Sequence, residues 1–419
     1  MRHFFPELHQ QINQIRDPRH PEQCRYTQAH LLWQGALLFL MHLGSRKQLR
    51  RESHSDAYRK NLKKLCHQHG EDDVADPDTI AYYAERVPPC ELEKILAGLT
   101  TRMIRMRALD AHRLEGFYTI AIDGTQICTF EEKPWDGAPH RKHKGETESQ
   151  YFAYVLDAKL VTPSGLALTL ATEMITNKGH DAFDKQDCEL KALPRLAQKL
   201  TTYFPRTRIC LLLDSLYANQ HVIRLCEENG WKYIIVFKRG SMPERYAEAE
   251  TLMKMQAGNR QECRAPGLTR QLCWASGLAI EEFTPTVLWC TEQHDGQEEK
   301  RFAWLTNFDI TRSNAERIAN KGGRLRWKIE NEGFNTQKNN GYEMEHVYSK
   351  HANGFQVFYL FLLLAHYLNQ LVLQGNLLES LAETFGSARN FARRLAESIR
   401  NAVVAEPLAL PAQIRLRPP

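Results

Sequence analysis

Ten cysteines are present but none forms a Cys-x-x-Cys pair, which excludes a zinc ribbon and a thioredoxin-type redox motif. No internal repeat and no low-complexity segment occurs, which excludes repeat architectures. Charge of one sign is scarce: 55 Lys and Arg against 50 Asp and Glu leave a net +5. That balance permits nucleic-acid binding without requiring it. The opening residues, MRHFFPELHQQINQIRDPRH, lack the sustained apolar core of a secretory signal, so reduced thiols and a cytoplasmic location are expected. Long apolar runs are scarce too. Only 354–373 approaches membrane-spanning length. It carries Gln356, His366, Asn369 and Gln370 and no second span accompanies it, so a buried core helix is expected, with no membrane contact.

What is present is an ordinary globular composition, 42% apolar and 25% charged, in 419 residues, enough for two or three domains. Residues 1–112 read as helical. HLLWQGALLFLMHLG (30–44) is apolar without β-branched residues, and the run that follows (45–65) is rich in Lys and Arg. Its basic residues make either a solvated helix face or phosphate contacts. A further helix is expected over 89–109. The texture changes at Phe117, with strands over 117–123, 145–161 and 166–175. A helix fits 184–204, where Pro194 should kink or break it. Then come a strand (208–214), a helix (218–229) and a strand (230–240). Residues 243–300 interrupt this pattern, a strand resumes at 301–309, and 311–339 read as helix broken by Gly322 and Gly323. The end of the chain reads as a loose tail. The order describes a mixed sheet with helices on its faces.

Three acids stand out. Asp123 closes the β-rich run TIAID ahead of Gly124, a pairing also common in turns. Asp214 closes RICLLLD, a strand apolar on both faces. In this strand order the two strands can be parallel neighbours, bringing the carboxylates together. Two such charges repel unless a cation lies between them. Glu330 lies in RLRWKIENEGFNTQKN. On a helix Arg326 and Glu330 share a face. That spacing reads either as a surface ion pair or as an acid for a metal and a guanidinium for a phosphate. Glu332 is a rival acid, but it points about 200° away around the helix.

IDGT, LLLDSLYAN and RLRWKIENEGFNTQKN together resemble the DDE signature of insertion-sequence transposases with a ribonuclease-H-like fold. The resemblance is to the branch whose last motif reads Tyr-x2-Arg-x3-Glu-x6-Lys. Arg326 and Glu330 match it. Gly323 stands at the tyrosine position and Gln337 at the lysine position, with Lys338 one step later. Residues 185–200 and 341–352 are similar to segments of such transposases, and the resemblance covers about 115–370.

The resemblance implies an α/β, ribonuclease-H-like mixed sheet flanked by helices, with a β-rich insertion and a helical N-terminal domain. The expected division is 1–112 for DNA-end binding, 113–242 with 301–375 for catalysis, 243–300 for the insertion, and 376–419 for the tail. It implies that Asp123, Asp214 and Glu330 are catalytic and hold two Mg2+ ions, or Mn2+, with Arg326 and Lys338 on DNA. The implied partners are double-stranded DNA, as terminal inverted repeats and target, and a second copy of the chain in the DNA complex. The implied location is nucleoid-associated cytoplasm. A ribonuclease-H-like nuclease without strand transfer, or an inactive transposase-derived DNA-binding protein, are the alternatives.

Other groups carry less. Trp274 and Trp289 could stack on an extruded base, but core packing is the preferred reading. Cys66, His67, His69, Asp72 and Asp73 match no strong zinc spacing and read as a surface loop. His140, Arg141, Lys142, His143 and Lys144 form a basic loop, offset by Glu146 and Glu148. His346 and His351 are assigned no role.

Overall fold

Hydroxyl and carboxyl caps begin four of the N-terminal helices. After α1 (Leu8–Gln14), Thr27 accepts from the His30 N–H at the head of α2 (Gln28–Leu40). Ser45 and Ser55 do the same for α3 (Arg46–Glu52) and α4 (Asp56–Cys66), and Asp76 for α5 (Pro77–Ala84). Each cap satisfies an N–H that the helix itself leaves unbonded. The basic run 45–65 thus falls on two helices, α3 and α4. α6 (Pro89–Arg105) completes the block. The computed structural model describes residues 4–67, 73–141, 149–177, 187–376, 385–403 and 414–418. His69, Asp72, residues 142–148 and the start of the 184–204 helix lie outside them.

The sheet that follows has ten strands. β1 (Tyr118–Phe130), β3 (Gln150–Val161) and β4 (Ala167–Met174) form an antiparallel meander, with the short β2 (His140–Arg141) paired to the start of β3. β5 (Ile209–Leu213) lies parallel beside β1, and β6 (Lys232–Val236) parallel beside β5. The crossovers that parallel pairs require carry α7 (Glu189–Tyr203) and α8 (Gln220–Glu228). The order β4-β3-β1-β5-β6 is the expected ribonuclease-H-like arrangement. Pro194 does not break α7. It lies on the solvent face, while Leu193, Leu196, Ala197 and Leu200 anchor the opposite side, so one lost backbone bond is tolerated.

The segment 243–300 joins the same sheet. After α9 (Pro243–Met255), strands β7 (Arg260–Ala265), β8 (Leu268–Ala275) and β9 (Thr286–His294) continue antiparallel from β10 (Lys300–Thr306), which pairs with β6. Next come α10 (Ala315–Lys321), a 3₁₀ turn (Gly323–Trp327), a π-helix (Ile329–Asn335) and α11 (Thr336–Asn339). The expected break at Gly322 and Gly323 has a packing cause. A Cβ on Gly322 would overlap Ile234, and one on Gly323 would overlap the Trp304 ring. The glycines let this turn lie directly on β6 and β10.

α12 (Ala352–Gln374) is the expected core helix. It alone among the described residues is long and apolar enough to cross a membrane, yet 83% of its most apolar stretch is buried. It packs on α2, α5, α6 and β4 and so joins the helical block to the sheet. The tail, expected to be loose, contains α13 (Ala388–Asn401), capped by Ser387. Phe391, Leu395, Ala396 and Ile399 form its inward stripe, and the Asn61 amide donates to the carbonyls of Ile399 and Ala402. Arg400 pairs with Glu52.

Because Gly323 sits against Trp304, Gly323→Ala should destabilise the protein by about 1–3 kcal/mol through overpacking. Urea unfolding monitored by tryptophan fluorescence measures it. An unchanged midpoint would remove the packing argument.

Candidate active site

Parallel pairing runs β1 and β5 side by side toward the two aspartates. Ala121 of β1 pairs with Leu212 of β5, the last pair of that ladder, and each lies two residues before its aspartate. The parallel pairing stops short of the acids, but β1 does not. It continues along β3 to Phe130, with a bulge between Gln126 and Cys128. Asp123 and Gly124 therefore lie within a strand, and the expected strand end at Asp123 is corrected. The partner strand β3 is long enough to keep β1 extended after β5 has left it. Asp214 caps the 3₁₀ turn Ser215–Tyr217, its Oδ1 accepting from the Leu216 N–H at 2.8 Å.

Arg326 brings in the third segment. Its Nη1 donates to Asp123 Oδ2 at 3.1 Å, and its Nη2 to Glu330 Oε1 at 2.6 Å. The guanidinium is 8% exposed, and its Nε has no hydrogen-bond partner among the described residues. Burial pushes the Asp123 carboxyl up, Arg326 pulls it down, and Glu330 and Glu189 push it up again, to about 7. Burial alone would lower the Arg326 pKa. The hydrogen bond to Glu330 and the charges of Asp123, Glu330 and Asp214 outweigh it, and the net shift is upward. Glu332 lies elsewhere, paired with Lys328 at 3.0 Å beside Gly165.

The π-helix that carries Glu330 rests on a buried ion pair. Lys159 Nζ donates to Asp157 Oδ2 at 2.6 Å and to Thr169 Oγ1 at 2.9 Å, and Tyr359 of α12 donates to the same Asp157 oxygen at 2.7 Å. A Cβ on Gly333 would stand 3.0 Å from Lys159 Cε, and the Phe334 ring lies 5.1 Å from Nζ. Asp157 is the cross-strand partner of Asp123. The neutralised pair therefore supports both the acid and the helix facing it.

The π-helix also changes which residue follows Glu330 around the turn. In an α-helix the seventh residue on returns to the same face. A π turn bonds i to i+5 and takes in an extra residue. Here Gln337 is fully buried, bonded to His366 at 3.0 Å. Lys338 instead faces β1 and donates to the Gln126 carbonyl at 2.9 Å, with Glu345 at 3.4 Å.

Glu189 was not foreseen. It is the first residue of α7 and accepts from Tyr154 Oη at 2.5 Å and from Tyr217 Oη at 2.8 Å. Its only signal in the sequence is a place at the head of an amphipathic helix. Trp327, 51% exposed, lies beside the site with Arg326 Cζ 4.9 Å from its ring. Trp274 is buried and Trp289 packs against the core. His351 caps α12, and His346 lies against Tyr348. Cys66 is buried and bonds the Ala29 carbonyl, His67 lies against His9, and Asp73 pairs with Arg25.

Among the described residues no three His, Cys, Asp or Glu side chains are gathered closely enough to hold one metal ion. At Asp123 and Glu330 the Arg326 guanidinium bonds both carboxylates. The donors are nonetheless of the right kind. Carboxylate oxygens suit a hard divalent cation, and one cationic group already stands between two of them.

The Asp123 carboxyl has a pKa of about 7 in the folded protein against an ordinary 3.8. Between those values the folded state holds the extra proton, so this group's contribution to stability rises as pH falls. Without divalent cation, Asp123→Asn should be favoured over wild type near pH 8, and the advantage should shrink toward pH 4.5. Thermal melts of both proteins across that range test this. A difference independent of pH would refute the raised pKa.

Residues 115–368, more than half of the chain, match the family model described as Transposase DDE domain. No curated protein matches the chain.

Proposed function

The chain belongs to the transposase DDE domain family, and we propose that it cleaves transposon ends and joins them to target DNA. Asp123, Asp214 and Glu330 are the proposed catalytic acids. The observation that carries the reading is the single buried guanidinium shared by Asp123 and Glu330, beside the strand end that bears Asp214. These acids would hold Mg2+ or Mn2+, two ions by the resemblance. Bound there, the ions would activate the attacking oxygen and stabilise the leaving one.

The protein's own groups bind and orient. With the acids otherwise neutralised, the Arg326 fork is free to take two phosphate oxygens. Lys338 adds a point charge further along β1. Trp327 offers an exposed ring on which a base at the cleaved end can stack. The helical block 1–112 is the proposed end-binding region. There Arg46 and Arg50 are paired with Asp78 and Asp76, so phosphate contacts fall to other basic residues such as Lys47, Arg51 and Lys60. Two ends cut together call for a homodimer on paired terminal inverted repeats.

Asp123→Ala, Asp214→Ala and Glu330→Ala should each abolish Mg2+-dependent cleavage of terminal-repeat DNA while sparing DNA binding in gel shifts. Near-wild-type cleavage by Glu330→Ala would sink its assignment. Joining of a pre-cut end separates a transposase from a nuclease. Neither cleavage nor joining by the wild type would favour a DNA-binding protein without activity. Lys338→Ala should weaken binding by roughly tenfold, the value of one charge-assisted hydrogen bond. Adding Gln337→Lys should not restore it, because position 337 faces the core; rescue would contradict the π-helical register.

A further inference from the structure

We propose that Glu189 is a positioning residue for the acidic site, holding the Asp123 and Asp214 segments through Tyr154 and Tyr217 and adding the negative charge that favours a divalent cation. The inference rests on the metal-dependent reading above.

The two tyrosines come from the elements next to the two aspartates. Tyr217 lies in the 3₁₀ turn that Asp214 caps, three residues after it, and is fully buried. Tyr154 lies on β3 opposite Gln126, three residues after Asp123. One carboxylate accepts from both hydroxyls, so it ties the Asp214 turn to the strand that flanks Asp123. Gly124 makes room for this. A Cβ there would overlap both the Glu189 carboxylate and the Tyr154 ring. Glycine inside a strand weakens it by about 0.5–1 kcal/mol relative to alanine, and close approach of another group is the usual reason for one. The residue after Asp123 thus lacks a side chain because Glu189 takes the space.

Both Glu189 oxygens are engaged by hydroxyls, so it acts through the tyrosines and through its charge. That charge reaches Asp123 and both phenols. Each phenol is raised, by burial first, and stays a donor. A purely structural Glu189, acting only as an acidic residue in the first turn of α7, would affect stability alone.

The test is Mn2+ binding by calorimetry to wild type, Asp123→Ala, Glu189→Gln and the Tyr154→Phe/Tyr217→Phe double variant, with cleavage measured against Mn2+ concentration. Loss of a group that orients metal ligands typically costs about 10- to 100-fold in affinity. Glu189→Gln should weaken Mn2+ by that factor and raise the half-saturating Mn2+ for cleavage to match, with less effect on the rate at saturation. Wild-type Mn2+ affinity in Glu189→Gln would overturn the proposal. Should that variant fail to fold, the double variant decides: weakened Mn2+ binding supports the proposal and unchanged binding overturns it. If wild type binds Mn2+ no better than Asp123→Ala, the metal reading itself fails and the inference falls with it.

Discussion

Carboxylates close together in a half-buried site cannot all remain ionised without a counter-charge, and here the counter-charge is Arg326. Much of the surrounding structure can be understood as placing that one guanidinium. Gly322 and Gly323 let the 3₁₀ turn press onto β6 and β10, which sinks Arg326 to the level of Asp123. Four residues on, Glu330 meets the second arm of the fork. Arg326 stands between Asp123 and Glu330, so in the protein alone one guanidinium offsets and spaces these two acids.

The support beneath this arrangement is itself costly. Asp157 and Lys159 are fully buried, and desolvating such a pair offsets much of what their attraction returns. Five residues surround the pair: Thr169 and Tyr359 bond it, Gly333 and Phe334 lie on it, and Asp123 is its cross-strand neighbour. Tyr359 belongs to α12, which also forms the spine of the N-terminal helical block. The acids and the helical block therefore share one core.

Much of this was legible in the sequence, and the rest was hidden for specific reasons. Apolar β-branched runs announced β1, β5 and β6, and the order of elements was enough to pair β1 with β5. The i, i+4 spacing announced Arg326 with Glu330, because a helical turn is a local object. What extends beyond a few residues was harder to see. β1 continues past Asp123 because β3 is long, which no residue of β1 records, and Asp-Gly reads equally as a turn. α13 was taken for a tail although Phe391, Leu395, Ala396 and Ile399 follow a helical period. Glu189 carries no more in the sequence than its place at the head of α7. Its meaning depends on two tyrosines and a glycine from three other segments, which meet only once the sheet has formed.

The mismatch between this chain and the Glu-x6-Lys spacing has a structural resolution. In sequence, Gln337 stands where a lysine is expected, and the motif looks broken. In three dimensions the segment from Ile329 to Asn335 is π-helical, so two turns take up one more residue than an α-helix would. The register slips by one, the glutamine turns into the core against His366, and the lysine comes out over β1. A π-helix is a less favourable way to wind a chain, and it persists only where side-chain packing compensates. Here Gly333 and Phe334 on Lys159 provide that packing on one side of the segment and Gln337 with His366 provides it just beyond the end. The π-helix and the outward turn of Lys338 are therefore linked: the segment Ile329–Asn335 takes in the extra residue that leaves Gln337 in the core and Lys338 over β1.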